Sequence, residues 1–142
     1  MRAVFADSSY WIAVFRPQDP WKETASRARR EIGAARLVTA DEVLVEFLAA
    51  FSAAGPRART EAAGFVRDIL AHPSVEVAPQ SRESFLDGLA LYEARRDKTY
   101  SLTDCISMCL MRAKSISAVL TADEHFVQEG FTALMRRRER SR

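Results

Sequence analysis

Short apolar runs alternate along the chain with longer segments whose apolar residues recur at helical spacing. The short runs at 2–6, 37–39, 75–77 and 117–121 predict four strands, and 131–134 predicts an edge strand. The helical segments lie between them, at 10–15, 21–32, 41–51, 57–71, 81–96, 103–113 and from 122 to just before Gly130. No tight hairpin joins two consecutive strands. The pattern predicts an α/β fold in which helices cover both faces of a short parallel sheet, a three-layer α/β/α arrangement.

The segment that begins at Asp97 predicts a helix that is apolar on nearly every face, which is typical of a buried helix. It opens with Thr103 and Asp104, where a threonine can cap the helix and an acid lies near the positive end of its dipole. Asp104 has two interpretations. It is either a capping acid or a carboxylate that is fixed at the edge of the core and faces a cleft.

Three further acids occupy comparable places. Asp7 directly follows the first strand, and Asp123 follows the fourth. Glu46 lies in the second turn of the helix after strand two, where its apolar neighbours also suit a residue at the rim of the core. Because ligands of parallel sheets bind at the carboxyl ends of the strands, we expect these acids to lie near Asp104 at one edge.

Four adjacent carboxylates cannot all stay ionised without a counter-charge, because each raises the pKa of the others. A hard divalent cation such as Mg²⁺ supplies that charge, and a metal held in this way activates water and stabilises charge on a phosphodiester. A Ser-His-Asp arrangement is not indicated, and His125 is expected to be a surface residue. The glycine clusters of dinucleotide-binding and P-loop proteins are missing, so a nucleotide-binding Rossmann domain of the usual kind is excluded.

Composition limits the class of protein. A chain of 142 residues with 48% hydrophobic and 28% charged residues is typical of one soluble globular domain, here residues 1–135. No apolar run is long enough for a membrane span, and no signal segment precedes the first strand, so we expect a cytoplasmic protein. Cys105 and Cys109 are expected to be reduced thiols, since a zinc site would need a second pair of ligands.

The positive charge belongs to the end of the chain. Residues 136–142 hold five Arg and one Glu and contribute +4 to a net charge of +2, which leaves −2 for residues 1–135. We expect this basic tail to be a disordered end, although such a cluster can also attract phosphates.

The four acidic segments together resemble the PIN-domain ribonucleases, and most closely the small single-domain VapC toxins. The resemblance rests on Asp7-Ser-Ser after a strand, the helical Asp-Glu-Val-Leu-Val-Glu46-Phe, Tyr-Ser-Leu-Thr-Asp104-Cys-Ile-Ser and Leu-Thr-Ala-Asp123-Glu-His-Phe. It covers nearly the whole chain, from Asp7 to Leu134. The segments around Asp104 and Asp123 are its specific parts.

This resemblance implies a PIN-like sheet with Rossmann-like topology, and metal-dependent cleavage of single-stranded regions of RNA. Asp7, Glu46, Asp104 and Asp123 would be catalytic. Asp7, Asp104 and Asp123 would bind Mg²⁺ or Mn²⁺, and the supporting residues would be Ser9, Thr121 and Asp97. Asp97, at the head of the segment that carries Asp104, is alternatively only the end of a helix. It also implies a homodimer and a small antitoxin partner.

Two other functions are alternatives to the nuclease. A non-catalytic module that binds RNA or protein on the same fold is the main alternative, and the intact set of acids weighs against it. A haloacid-dehalogenase-like phosphatase requires a second Asp two residues after the first, and Ser9 occupies that position.

Overall fold

Five parallel strands form a single sheet in the computed structural model, which describes residues 2–136. The strands are β1 (Ala3–Ala6), β2 (Arg36–Ala40), β3 (Val75–Ala78), β4 (Ala118–Leu120) and β5 (Thr132–Ala133). Their order across the sheet is β3-β2-β1-β4-β5, and every neighbouring pair is parallel. The predicted parallel sheet is confirmed, although β4 and β5 are shorter than the apolar runs that contain them.

Seven helices connect and cover the described strands. They are α1 (Ser8–Phe15), α2 (Lys22–Glu31), α3 (Asp41–Ala50), α4 (Pro56–Ala71), α5 (Arg82–Ala94), α6 (Leu102–Ala113) and α7 (Glu124–Gln128). Val4, Phe5 and Ala6 of β1 are all fully buried. Since consecutive strand residues point to opposite faces, helices must cover both faces of the sheet. The predicted three-layer α/β/α fold is confirmed. Within residues 2–136, no helix has the length and apolar character needed to cross a membrane.

The order of the strands reverses at β1. The chain passes from β1 to β2 and β3 on one side and then crosses back to β4 on the other. A crevice therefore opens between the carboxyl ends of β1 and β4, where parallel α/β proteins bind their ligands. The backbone N–H of Asp7 donates to the carbonyl oxygen of Leu120 (3.1 Å), so pairing between the two strands continues to the lip of this crevice.

An aromatic cluster fixes α1 against α3. Phe15 packs edge-on against Phe47 with ring centroids 5.5 Å apart, and Phe65 of α4 contacts both rings. The Trp11 indole N–H donates to the Thr39 hydroxyl (3.3 Å), which itself donates to the carbonyl oxygen at the end of β1 (2.8 Å). This packing gives the first residues of α1 and the second turn of α3 fixed positions beside the crevice.

The capping residue of α6 lies two residues earlier than the sequence predicted. The capping residue is Ser101 and not Thr103, because the Ser101 hydroxyl accepts from the backbone N–H of Asp104 (3.0 Å). The Asp104 carboxylate accepts in return from the backbone N–H of Ser101 (3.0 Å), which completes a capping box. The helix is buried as expected, and its cysteines are free thiols, Cys105 being buried and Cys109 half-buried.

The predicted basic tail falls almost entirely outside the described residues. Arg136 is the last described residue, and its guanidinium donates to the carbonyl oxygen of Ala133 (3.2 Å). The single domain over 1–135, with a separate tail over 136–142, stays a prediction.

Gly88 sets the distance between α5 and α6, since a Cβ built there would lie 2.4 Å from Cγ1 of Ile106 and 3.1 Å from its backbone nitrogen. We expect Gly88→Ala to lower the free energy of unfolding by about 1–3 kcal/mol, because the helices must separate. The matched control is Gly64→Ala in α4, where a Cβ meets nothing within 4 Å. This substitution should raise the free energy of unfolding by up to about 1 kcal/mol. Urea unfolding measures both, and equal effects would contradict the close approach.

Candidate active site

Asp7 is the most buried acid of the crevice, with 4% of the residue exposed. It occupies the capping position of α1 but makes no side-chain capping bond. Its Oδ2 accepts a hydrogen bond from the Thr121 hydroxyl (2.8 Å), whereas its buried Oδ1 has no hydrogen-bond partner among the described residues. A buried carboxylate oxygen without a donor is costly, so it indicates a missing ligand.

Thr121 and Ser9 join the two strand ends. The Thr121 hydroxyl, which donates to Asp7, also accepts from the backbone N–H of Asp123 (3.0 Å). The Ser9 hydroxyl lies 3.3 Å from it and accepts from the backbone N–H of Ala122 (3.0 Å). Ser9 and Thr121, two of the three residues named as supporting, therefore contact the acids or the loop that carries them.

Glu46 enters the crevice from α3. The Ser8 hydroxyl, at the first position of α1, donates to Glu46 Oε1. Burial is the main cause that raises the pKa of Glu46, and the charges of Asp104 and Asp123 raise it further against this hydrogen bond. Glu46 is therefore held among the other acids instead of lying in water at the rim of the core.

Asp104 and Asp123 meet at His125. The imidazole Nδ1 lies 2.8 Å from Asp104 Oδ2 and 3.2 Å from Asp123 Oδ2. Asp123 caps α7, its Oδ1 accepting from the backbone N–H of His125 (2.9 Å). The expectation that His125 is a surface residue is wrong, because its side chain is 24% exposed and bridges two acids.

The four acids form one electrostatic cluster. Burial raises the pKa of Asp7 to about 7, the Thr121 hydrogen bond and the adjacent backbone N–H of Ser8 oppose this rise, and the charges of Glu46 and Asp104 add to it. Since Asp123 acts in turn on Glu46, each of the four carboxylates is within electrostatic reach of another. The acids that the sequence predicted at one edge are brought together there.

Asp97 is not part of this cluster. It is exposed in the turn after α5. The pKa of Arg95 is raised mainly by Glu129, and Asp97 makes only a minor contribution. The structure gives Asp97 no contact with the four acids, so it does not support the predicted supporting role.

Ser8 and His125 are the contacts that the sequence analysis missed. The signal for His125 is its place two residues after Asp123, because a capping acid binds the backbone N–H at that position and brings the residue close. Ser8 gives no such local signal. Its partner Glu46 is 38 residues away, and only the packing of α1 on α3 brings them together.

A second ion-pair network holds the wall behind His125. Glu129 accepts from the Arg95 guanidinium (2.8 and 3.0 Å), from Arg112 (2.7 Å) and from the Tyr100 hydroxyl (3.2 Å). These bonds, that of Arg95 first, lower the pKa of Glu129 to about 2. The Tyr100 ring lies 5.4 Å from the imidazole of His125. The network therefore fixes the end of α7 to the turn that precedes α6.

The donor atoms of the crevice suit a hard divalent cation. Asp104, Asp123 and His125 each offer an atom within 4.8 Å of the others. Asp7 lies outside this group of three, and its buried Oδ1 has no hydrogen-bond partner among the described residues. Carboxylate oxygens are the preferred ligands of Mg²⁺ and Mn²⁺, and His125 Nδ1 is already hydrogen bonded to the carboxylates. The residues present therefore fit a metal held mainly by oxygen.

Asp7 gives the metal-free protein a specific pH dependence. Its pKa is raised from 3.8 to about 7 on folding, so between these values the folded state keeps a proton that the unfolded state has lost. The free energy of unfolding, measured in EDTA, should therefore fall by at most about 4 kcal/mol as the pH rises from about 4 to about 7.

The Asp7→Asn variant should lose most of this slope, whereas the exposed control Asp68→Asn on α4 should keep it. Urea unfolding at a series of pH values measures both. A metal-free wild-type protein that grows more stable across this range would contradict the burial of an ionisable Asp7.

Comparisons with known proteins agree with this architecture. Searching the curated proteins gave no significant match. Among solved structures, the fold is similar to VapC20 of Mycobacterium tuberculosis, a sarcin-ricin loop cleaving toxin, with 25% identity, a TM-score of 0.80, and coverage of 91% of this chain and 96% of that one. FitAcB from Neisseria gonorrhoeae shares the fold at 11% identity and a TM-score of 0.63, over 92% of this chain and 94% of that one. The PIN-domain family profile matches residues 4–131, and the chain therefore belongs to the PIN-domain family.

Proposed function

We propose that this protein is a divalent-metal-dependent endoribonuclease and the toxin of a toxin-antitoxin pair. The observation that carries the proposal is the convergence of Asp7, Glu46, Asp104 and Asp123 at the β1–β4 crevice, with one buried oxygen of Asp7 unpaired. Membership of the PIN-domain family supports a nuclease, and the similarity to VapC20 supports the toxin assignment.

Asp7, Asp104 and Asp123 are the proposed metal ligands, and Mg²⁺ or Mn²⁺ is the proposed ion. When bound, the metal supplies charge that stabilises the phosphodiester as it is cleaved and lowers the pKa of a coordinated water. The ion also offsets the repulsion among the carboxylates, which otherwise raises the pKa of Asp7 in addition to the effect of burial.

The remaining contacts orient the acids. Thr121 fixes Oδ2 of Asp7 and leaves Oδ1 without a hydrogen bond, and His125 holds one oxygen of Asp104 and one of Asp123. Ser8 binds Oε1 of Glu46 and leaves Oε2 available to accept a proton from the attacking water. The raised pKa of Glu46 suits that role, because a general base works best when its pKa lies near the working pH.

The partners of the protein follow from this assignment. A small antitoxin protein that silences the nuclease is the partner that a VapC-like toxin requires. The homodimer remains a prediction from the family resemblance, and the cytoplasmic location remains a prediction from the composition of the sequence.

A cleavage assay tests the proposal directly. The purified protein should cut a structured RNA with single-stranded loops when Mg²⁺ or Mn²⁺ is present, and EDTA should abolish cutting. Asp7→Asn and Asp104→Asn should each reduce the rate at least about 100-fold, because each removes a charged metal ligand.

The control variant Asp68→Asn should cut at the wild-type rate, and circular dichroism should show that all three variants are folded. Cleavage that continues in EDTA, or that survives both substitutions, would contradict a metal-dependent site at the crevice. A folded wild-type protein that binds RNA without cutting it would favour the non-catalytic binding module.

A further inference from the structure

A basic pocket of 480 Å³ lies beside the acidic crevice, at the end of α5 and in the turn that follows. Its walls include Tyr92, Arg95, Arg96, Lys98 and Thr99. Tyr92 lies in the last turn of α5, and Arg95 and Arg96 lie in the turn that follows. The pocket therefore combines an aromatic ring with three cationic side chains.

Thr99 connects this pocket to the acids. Its hydroxyl lies 3.0 Å from Nε2 of His125, whose Nδ1 lies 2.8 Å from Asp104. A single imidazole ring thus separates the basic pocket from the acidic cluster. A linear ligand bound across the acids in this direction would place its next monomer in the pocket.

Two of the three cationic side chains form no ion pair with an acid of the described residues. Arg95 is bound to Glu129, but the Arg96 and Lys98 side chains are exposed and make no ion pair or side-chain hydrogen bond within residues 2–136. Glu93 is the one acid in the lining, against three cations. Tyr92 is 51% exposed, so its ring can be reached by a ligand.

These features match the needs of a nuclease whose metal site is acidic. The carboxylates repel the phosphates of an approaching RNA, so nearby cations must favour its binding. Proteins that bind single strands combine such cations with aromatic rings on which bases stack, whatever the sequence.

We propose that this pocket binds the nucleotide next to the cleaved bond of a single-stranded RNA, with its base on Tyr92 and its phosphate between Arg96 and Lys98. The inference rests on the proposed function and identifies where that site holds its substrate.

The test measures binding and cleavage separately. Binding is followed by the fluorescence anisotropy of a labelled single-stranded RNA, with full-length protein carrying Asp7→Asn so that the RNA is not cut. Cleavage of the same RNA is followed with Mn²⁺ in the otherwise unchanged protein. The pocket variants are Arg96→Ala with Lys98→Ala, Tyr92→Ala and Tyr92→Phe, and the control is Arg67→Ala, an exposed arginine of α4.

Each pocket variant has its own expected result. The Arg96→Ala, Lys98→Ala double variant should reduce the slope of log K against log salt by about 1.4 between about 50 and 200 mM, because two phosphate contacts are lost. Tyr92→Ala should raise Kd and KM at least about fivefold, and Tyr92→Phe should restore both, because stacking needs only the ring. Arg67→Ala should leave the Kd and KM unchanged.

The outcomes distinguish the pocket from the nuclease. Pocket variants that match Arg67→Ala in Kd, KM and salt slope, while the wild-type protein cuts RNA, would overturn the pocket and leave the proposed function intact. That result would also be expected if the pocket binds an acidic segment of a protein partner. Loss of RNA binding in the pocket variants, with no cutting by the wild type, would contradict the nuclease and the place of the nucleotide beside a cleaved bond, and would leave only an RNA-binding pocket. No RNA binding at all would overturn both.

Discussion

The unpaired oxygen of Asp7 is the constraint on which the rest of the site depends. The carboxylate is buried at the end of the central strand, where Oδ1 has no hydrogen-bond partner among the described residues, and Glu46 and Asp104 add their negative charge. The protein tolerates this position by fixing the other oxygen with Thr121 and by keeping a proton on the group up to about pH 7. A bound cation would remove both costs, so the metal-free state is the less favourable one.

The crevice is stabilised by elements distant from one another in the chain. The aromatic cluster sets α1 against α3 and so brings Ser8 to Glu46, while the capping box at Ser101 and the capping acid at Asp123 orient the other two acids. Glu129 and its two arginines hold the wall behind His125. Because each acid comes from a different element, its position depends on the packing of the whole sheet, which makes the site rigid and not merely acidic.

Chain order was sufficient to predict much of this arrangement. Asp7 and Asp123 follow strands, so a parallel sheet places both at one edge without any knowledge of packing. The predicted cap of α6 was wrong by two residues, since the Ser-x-x-Asp spacing of Ser101 and Asp104 forms a capping box that Thr103 cannot form. His125 was misjudged because its exposure depends on a tertiary contact with Asp104, 21 residues away, that no helical periodicity records.

The central claim is that the unpaired oxygen of Asp7 is a metal ligand, and anomalous diffraction from crystals soaked in Mn²⁺ tests it most directly. If Asp7 Oδ1 is a ligand, an anomalous peak is expected in the crevice at bonding distance from it, about 2.0–2.2 Å, with Asp104 or Asp123 as a further ligand. Crystals of the Asp7→Asn variant soaked in parallel should lose that peak. A saturating soak that leaves the crevice without a peak, or that places Mn²⁺ away from Asp7, would contradict the role of Asp7 as a metal ligand.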